Sequence, residues 1–179
     1  MLLNYTLPHM TKLLKEGGTH VLFVDGVDSI FISGIEEIAA KYERHWPEGA
    51  TIISADWDGT PHGVFTGPKP WKYLNGGGYL TPIEPWVEMM ERFGKKYPQE
   101  GNYQVWLEKE WPISGCFLDH DCRIFQSMNG NRAVVPMGSR VLNTVTESWP
   151  CILHFRGGYC DPQTGREERI KPWLEALVR

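Results

Sequence analysis

A short apolar run that ends in acidic residues constrains the fold of this chain more than any other feature. The segment reads VLFVDGVDSIF; residues 21–25 are predicted to form a buried strand, whose carboxyl end delivers Asp25 and, three residues later, Asp28. Open α/β sheets bind ligands just outside the carboxyl ends of their strands. Carboxylates suit hard or borderline cations such as Mg²⁺ and Mn²⁺, and these ions in turn bind the phosphates of nucleotides. The segment therefore predicts a cation site.

The same two acids have a second interpretation. Aspartate is common at the N-cap of a helix and in turns. Asp28 precedes Ser29 and a hydrophobic stretch, which is a suitable place for a cap. On this segment alone, metal binding and local capping both stay open.

The rest of the chain predicts an α/β fold. Strands that alternate with helices, followed by several short strands, are typical of an α/β domain with a mixed sheet. At 179 residues the chain is expected to form one domain, residues 1–179. Helices are predicted over residues 7–16, 33–45, 82–93, 103–110 and 171–178, and further strands over residues 50–54, 79–80, 116–118, 124–125, 133–135, 140–142 and 151–154.

Two local patterns add detail to this outline. Ser33, with Glu36 three residues later, has the spacing of a capping box at the start of the second helix. Residues 56–73 are rich in Gly, Pro and Trp and are predicted to be a long loop. Long ordered loops in compact domains are usually functional, so this loop is a candidate for ligand contact.

Composition excludes some classes of protein. The net charge is −4 and no block of basic residues occurs, which argues against an extended nucleic-acid footprint. No run approaches the ~18 apolar residues of a membrane span, and the N-terminus lacks the pattern of a signal peptide. The four cysteines have no C-x-x-C spacing, and reduced thiols are the simpler interpretation although two disulfides stay possible. We expect a cytoplasmic protein, including a viral one made in the cytoplasm of its host.

A glycine-rich segment, YLNGGGYL, is a second candidate site. Glycines let a backbone approach a ligand closely, and Asn75 has an amide that suits a sugar hydroxyl. The candidate residues are Asn75, Gly76, Gly77 and Gly78. A flexible turn that leads into a strand is the alternative.

Two further segments carry metal-binding residue types. In FLDHDCRIF, Asp119, His120 and Asp121 are consecutive, and neighbours on a strand point to opposite faces, which favours a polar turn over a metal site. In CILHFRGG, a strand delivers His154 at its end. An imidazole completes many carboxylate metal sites, although a lone histidine at a strand end is more often a surface or core residue. The Arg156, Gly157 and Gly158 that follow suit a diphosphate, by charge-assisted hydrogen bonds and free backbone amides.

These segments together resemble a known family. VLFVDGVDSIF, IISADW, YLNGGGYL, FLDHDCRIFQSMNG and WPCILHFRGG occur in an order and at a spacing similar to those of the glycosyltransferase domain of procollagen lysyl hydroxylases and of related viral and bacterial glycosyltransferases. The resemblance runs from about residue 10 to residue 160. It implies a GT-A fold, which is a Rossmann-like mixed sheet flanked by helices.

The resemblance also implies an activity and its residues. The family transfers a sugar, typically a hexose, from a UDP-sugar to an acceptor hydroxyl and depends on Mn²⁺, for which Mg²⁺ is the alternative here. The metal ligands implied are Asp25, Asp28 and His154. Asn75 and Gly76 to Gly78 would line the donor sugar, and Gly157 and Gly158, with Arg156, would lie near the diphosphate.

The chain departs from the family pattern in two places. An acidic stretch that ends in Asp-Asp-Gln is usual in the family, and the matching residues here run from Glu100 to Gln104 with Asn102 and Tyr103 in place of the acids. Glu100, Asn102 and Gln104 are therefore the candidate catalytic residues. The family also carries more structure before the acidic segment, so a shortened nucleotide-binding half is expected.

Two functions follow from these observations. The first is metal-dependent transfer of a sugar from a UDP-sugar to a hydroxyl group, on hydroxylysine in a protein or on a hydroxymethylated base in nucleic acid. The second is a glycosyltransferase-like binding or scaffold domain without turnover. Acceptor choice is expected to depend on residues 56–73, which include Trp57, His62 and Trp71.

Overall fold

The computed structural model describes residues 3–26, 28–57, 70–128, 133–155 and 166–178. Within these ranges, helices and strands alternate along the first part of the chain and short strands dominate the second part. The helices are α1 (Leu3–Lys15), α2 (Ile35–His45), α3 (Ile83–Lys96), α4 (Tyr103–Glu110) and α5 (Arg166–Leu177). The strands are β1 (His20–Val24), β2 (Ser29–Phe31), β3 (Thr51–Asp56), β4 (Tyr73–Pro82), β5 (Cys116–Leu118), β6 (Phe125–Ser127), β7 (Val134–Met137), β8 (Arg140–Asn143) and β9 (Ile152–His154).

The main sheet is mixed and lies between helices, as the α/β prediction and the GT-A resemblance require. Its strand order is β1-β4-β3-β5, with β4 antiparallel to both neighbours and β3 parallel to β5. One face packs on α1 and α3 through a core that includes Met10, Trp86 and Phe93. The other face packs on α2 through a core that includes Ile38 and Tyr42.

A second sheet lies next to the first and completes the region of the predicted site. Its order is β2-β9-β6, with β2 antiparallel and β6 parallel to β9. Contacts between β3 and β6 join the two sheets. The hairpin of β7 and β8 packs with α5 on a third apolar cluster that includes Val141 and Phe155.

The glycine-rich segment is the interior of a strand, so the alternative of a flexible turn is wrong. Strand β4 runs through Gly76, Gly77 and Gly78 without interruption, and it is ten residues long where only residues 79–80 were predicted. The reason is packing from the second sheet. A Cβ on Gly78 would lie 2.8 Å from the Phe125 ring, and a Cβ on Gly77 would lie too close to the His154 ring. Glycine here gives two sheets room to meet.

Strand β1 is half-buried, which differs from the prediction of a buried strand. Its four apolar residues are partly exposed and His20 is exposed. The physical reason is its place at the end of the sheet order, where only β4 pairs with it among the described strands. An apolar run therefore identified the strand without identifying its position in the sheet.

Two other local predictions are wrong. Asp28 precedes strand β2, which the sequence did not reveal, so it is not a helix cap. The N-cap of α2 is Gly34, no side chain caps this helix, and Ser33 lies one position before it. The helix itself begins and ends within two residues of the prediction because its apolar spacing, not a cap, defines it.

Two expectations from composition can be compared with the described residues. In that part of the chain no helix combines the length and the apolarity that crossing a bilayer requires. Cys116, Cys122 and Cys151 carry free thiols, and Cys160 lies outside the described residues. Burial raises the pKa of all three thiols, so they are poor nucleophiles at neutral pH.

Candidate metal centre

Asp25, Asp28 and His154 converge on one point, as the sequence predicts. Nε2 of His154 lies 3.4 Å from Oδ2 of Asp25 and 3.5 Å from Oδ1 of Asp28. One ligand atom from each residue lies within 4.8 Å of the other two. The imidazole and the Asp28 carboxylate are buried, whereas the Asp25 carboxylate is 44% exposed. The cluster is thus open to solvent on the Asp25 side.

Backbone pairing fixes the three residues. The Asp25 amide donates to the carbonyl of Gly77 at 2.9 Å, which holds Asp25 at the end of β1. The Phe155 amide donates to the carbonyl of Asp28 at 2.7 Å, and β2 begins at that point against β9. The site therefore lies where the two sheets meet, with one acid from the first sheet and the other acid and the imidazole beside the second.

Gly77 makes room for the imidazole. A Cβ at this position would lie 2.1 Å from Cε1 and 2.5 Å from Nε2 of His154. No rotation of a flexible side-chain end relieves such a contact, because the nearest atoms belong to a rigid and buried ring. Gly77 thus shapes the site without offering a side-chain ligand.

The environment of His154 fits a cation. Within the described part of the chain, neither ring nitrogen makes a hydrogen bond, although the side chain is only 4% exposed. The two carboxylates lie at ion-pair distance from Nε2 but without hydrogen-bond geometry. A buried ring nitrogen that faces two carboxylate oxygens is suited to a shared ion.

The donor set also limits the kind of cation. Two carboxylates and one imidazole suit borderline ions such as Mn²⁺, whereas Mg²⁺ favours oxygen ligands alone. Octahedral ions of this size hold neighbouring ligand atoms roughly 3 Å apart. The separations of 3.4 and 3.5 Å between Nε2 of His154 and the two carboxylate oxygens are close to that value.

A layer of buried polar residues adjoins the centre and holds Asn75. Nδ2 of Asn75 donates to Oδ2 of Asp56 at 3.3 Å, and Oδ1 accepts from the amide of Gly77 at 2.8 Å. Oδ1 of Asp56 accepts from Oγ of Ser127 at 2.8 Å, and Ser127 pairs with His154 in the second sheet. Asn75 is 5% exposed and braces the strand beneath the imidazole. Its assignment to the donor sugar stays a prediction.

Sequence reasoning missed Asp56 and Ser127. Asp56 was placed only at the start of a loop, but it is the last residue of β3 and is buried. The available signal was an acid at the end of a second apolar strand, IISAD, which repeats the pattern of Asp25. Ser127 carried no comparable signal.

The candidate catalytic residues lie before or at the start of α4, and Gln104 alone of the three hydrogen-bonds to β4. Asn102 is the N-cap of α4, and its side chain accepts from the amide of Gln104 at 2.9 Å. Oε1 of Gln104 accepts from the amide of Gly76 at 3.0 Å. Glu100 accepts from the amide of Asn102 and lies 3.9 Å from the Lys109 ammonium. A catalytic role for these three residues stays a prediction.

Tyr103 stands where the family pattern has an acid, and it belongs to the core. Its hydroxyl donates to the carbonyl of Gly76, and its ring packs edge-on against Phe23, Tyr79 and Trp86. Burial raises the pKa of the Tyr103 phenol well above its ordinary value, and the neighbouring Tyr79 and Asp25 act in the same direction. The phenol therefore stays protonated and remains a hydrogen-bond donor.

The aromatic residues predicted for acceptor choice separate into two environments. Trp71 is fully buried in the core, so its expected role at the acceptor is wrong. Trp57 is 40% exposed and packs edge-on against Trp71 with ring centroids 5.2 Å apart. His62 lies outside the described residues, as do Arg156, Gly157 and Gly158.

The consecutive acids and histidine at 119–121 form a turn, which confirms the interpretation from the sequence. Asp119 is buried, and its carboxylate accepts from the amides of Arg123, Ile124 and Phe125 at 2.8–2.9 Å. Asp121 points elsewhere and lies 3.4 Å from the Arg123 guanidinium. No ligand cluster is formed at this turn by the residues described.

Comparison with known proteins decides the family. The model of the PLOD GT domain matches residues 3–160. This chain belongs to the PLOD GT domain family. The match includes all three residues of the candidate metal centre, and the mixed α/β architecture agrees with a GT-A-like glycosyltransferase domain.

The sequence of this PLOD GT domain is similar to parts of three longer proteins. The chain is 27% identical over 143 residues to uncharacterized protein R699 of Acanthamoeba polyphaga mimivirus. This alignment covers 76% of the chain and 31% of the relative. It is 26% identical over 170 residues to procollagen-lysine,2-oxoglutarate 5-dioxygenase 2 of Mus musculus, covering 82% of this chain and 22% of the relative. It is 28% identical over 152 residues to procollagen-lysine,2-oxoglutarate 5-dioxygenase 1 of Mus musculus, and this alignment covers 76% of the chain and 20% of the relative. The chain thus spans less than a third of the length of these relatives.

Proposed function

We propose that this protein is a metal-dependent glycosyltransferase that moves a sugar from a UDP-sugar to an acceptor hydroxyl. The observation that carries the proposal is the convergence of Asp25, Asp28 and His154 in a chain of the PLOD GT domain family. These residues would hold Mn²⁺, or Mg²⁺ in its place. When bound, such an ion supplies Lewis-acid stabilisation of the charge that develops on a departing diphosphate.

The remaining chemistry belongs to side chains and backbone of the chain. His154 is held rigidly between the two sheets, so the centre is preorganised and reorganises little during a reaction. Asp25 is the exposed member, so a nucleotide is proposed to reach the centre from its side. Arg156 is proposed to add charge-assisted hydrogen bonds to the diphosphate.

Binding of Mn²⁺ and UDP tests the proposal directly. Isothermal titration calorimetry with UDP should show binding that requires Mn²⁺, and Mn²⁺ alone should raise the unfolding temperature of the protein. A ligand at about 100 times its Kd stabilises the folded state by about 2.7 kcal/mol. A chain that binds neither ligand at millimolar concentration contradicts the proposal.

A matched pair of variants assigns the effect to the centre. Asp28→Asn removes one buried carboxylate of the site, and Asp121→Asn makes the same change in the turn near Arg123. Asp28→Asn should abolish the Mn²⁺-dependent shift, and Asp121→Asn should keep it. If Mn²⁺ raises the unfolding temperature of both variants equally, the ion does not bind at Asp28.

A second function, binding without turnover, is favoured by the start of α4. Where the family pattern has two acids, Asn102 caps the helix and Tyr103 is buried in the core. Neither residue is a carboxylate that could act as a base near an acceptor. A glycosyltransferase-like binding or scaffold domain accounts for these replacements.

Hydrolysis of the donor separates the two functions. Incubation with UDP-glucose or UDP-galactose and Mn²⁺ should release UDP if the protein is a working enzyme, because water replaces an absent acceptor. Tight binding of the UDP-sugar with no release of UDP supports the scaffold.

The acceptor we propose is a hydroxylysine-like side chain of a protein. Two relatives have names that refer to procollagen lysine, and the net charge of −4 disfavours the phosphate backbone of nucleic acid. A hydroxylysine peptide and DNA with hydroxymethylated bases, each tested with labelled UDP-sugars, distinguish the two acceptors. We also propose a cytoplasmic location, which fractionation of the native host would test.

A further inference from the structure

Strand β1 has the composition of an interior strand at the position of an edge. Val21 and Phe23 face the core shared with α1 and α3, and Leu22 and Val24 face the core shared with α2. Strands with apolar residues on both faces normally lie inside a sheet, whereas edge strands usually carry charges or proline. All four residues are only partly buried. This arrangement leaves the apolar surface of β1 incompletely covered.

The free edge of β1 presents unpaired backbone groups. The Asp25 amide donates to Gly77 and the Thr19 carbonyl accepts from Ile83, so odd-numbered residues point toward β4. Pairs alternate in an antiparallel ladder, and His20, Leu22 and Val24 therefore direct their N–H and C=O groups outward. In the described ranges no strand pairs with this edge.

An apolar groove continues from this edge. It lies between β1 and α2, has a volume of about 620 Å³, and is lined in part by Leu22, Ile38, Tyr42 and Leu80. Ile35 also lines it and is 59% exposed. A groove of this kind beside an open strand edge is typical of an interaction surface.

We propose that two copies of this chain associate through β1, antiparallel, about a twofold axis at Leu22. Leu22 then faces Leu22 of the second copy, and His20 faces Val24. These are the residues whose backbone groups point outward, so each pair exchanges two hydrogen bonds and the four-stranded sheet becomes eight-stranded. Because Leu22 lines the groove, the grooves of both copies lie side by side at the axis on the same face of the extended sheet.

The sequence of the strand favours a second copy in this orientation. Thr19 and His20 lie at one end, Asp25 lies at the other, and the four residues between them are apolar. Antiparallel pairing brings apolar centre against apolar centre and keeps the two Asp25 residues at opposite ends of the paired strands. Parallel pairing in register would oppose Asp25 to Asp25. Such a self-complementary patch is what a twofold interface requires.

Mass measurement with matched variants tests the pairing. Size-exclusion chromatography with light scattering should give the wild-type chain a mass twice its 20.5 kDa. Leu22→Lys opposes two ammonium groups at the axis and should give a monomer. Val135→Lys makes a similar change at a residue on β7 that is 41% exposed, and it should leave the dimer intact. A wild-type monomer at every concentration, or equal dimerisation of both variants, overturns the proposal.

Hydrogen exchange of the wild-type protein gives an independent answer if Leu22→Lys does not fold. The amides of Leu22 and Val24 should become more protected as protein concentration rises. The Phe23 amide points toward β4 and should be protected at all concentrations. Exchange at Leu22 and Val24 that does not change with concentration overturns the pairing. Neither readout requires metal or UDP, so the result is separate from the test of sugar transfer.

Discussion

Gly77 and His154 occupy positions that exclude a methyl group between them. A Cβ on Gly77 would lie 2.1 Å from Cε1 of the imidazole, well inside van der Waals contact. Gly77 belongs to the first sheet and His154 to the second. The absence of a side chain on one strand thus allows an imidazole from another sheet to reach the two acids.

Gly77→Ala should weaken Mn²⁺ binding by about 10- to 100-fold, because the His154 ring must leave its position, and residues that orient metal ligands have effects of this size. Calorimetric titration with Mn²⁺ measures the change. Gly94→Ala is the control, since a Cβ there meets Trp106 at an ordinary 3.6 Å. Unchanged affinity in Gly77→Ala would show that His154 does not need this space.

The pair of Asp56 and Ser127 should be coupled energetically. Ser127→Ala should cost about 1 kcal/mol, the usual contribution of one hydrogen bond. Asp56→Asn should cost more, about 1–3 kcal/mol, because its oxygens accept from several buried donors. Urea unfolding of both single variants and the double variant gives the coupling, and strictly additive losses would contradict the bond.

Glu37 should make stability depend on pH in the acid range. Burial raises the pKa of its carboxyl, but hydrogen bonds from Lys41 and Arg140 outweigh burial, and the pKa lies below its ordinary 4.5. A lowered folded-state pKa means that the stabilisation is complete above pH 4.5 and is lost as pH falls through the folded-state value. Glu37→Gln should therefore be less stable than wild type at neutral pH.

The difference between wild type and Glu37→Gln should shrink as pH falls below 4.5. Thermal unfolding across that range measures it. Glu36→Gln removes one carboxylate from the exposed neighbour on α2 and is the control for loss of a charge on this helix. If the loss of stability in Glu37→Gln does not change with pH, the loss comes from altered hydrogen-bond geometry and not from the missing charge.

Two variants of Asn102 test whether this residue has a structural role or a catalytic one. Asn102→Ala should destabilise the protein by about 1 kcal/mol, the usual cost of losing an N-cap. Asn102→Ser keeps a capping oxygen and should restore both stability and UDP release. Urea unfolding and UDP release are measured on all three proteins. Loss of UDP release in Asn102→Ser with stability intact would make Asn102 a catalytic residue.

The fold was predictable where local pattern decides structure. The apolar spacing of Ile83, Trp86, Val87, Met90 and Phe93 predicts one face of α3, and all of them are buried except Val87, which is partly buried. Strand β2 escaped detection because three residues carry too little periodicity to identify a strand. Interruption of β4 by glycine was expected from propensity, but packing against His154 and Phe125 overrides propensity there.

The metal centre was predictable for a different reason. Acids at one strand end and an imidazole at another are unusual in sequence, and the family resemblance paired Asp25, Asp28 and His154. Asp56 and Ser127 were not predictable together, since only the junction of two sheets brings them to 2.8 Å. The single-domain assignment of residues 1–179 stays a prediction.

The order of the ligands along the chain has a consequence for folding. The two acids lie between β1 and β2 and the imidazole belongs to β9, the last of the described strands, so no partly assembled intermediate that lacks β9 can bind the ion with all three ligands. Full affinity for Mn²⁺ should therefore arise in refolding only when β9 docks beside the two acids, and the ion can report when that step is complete.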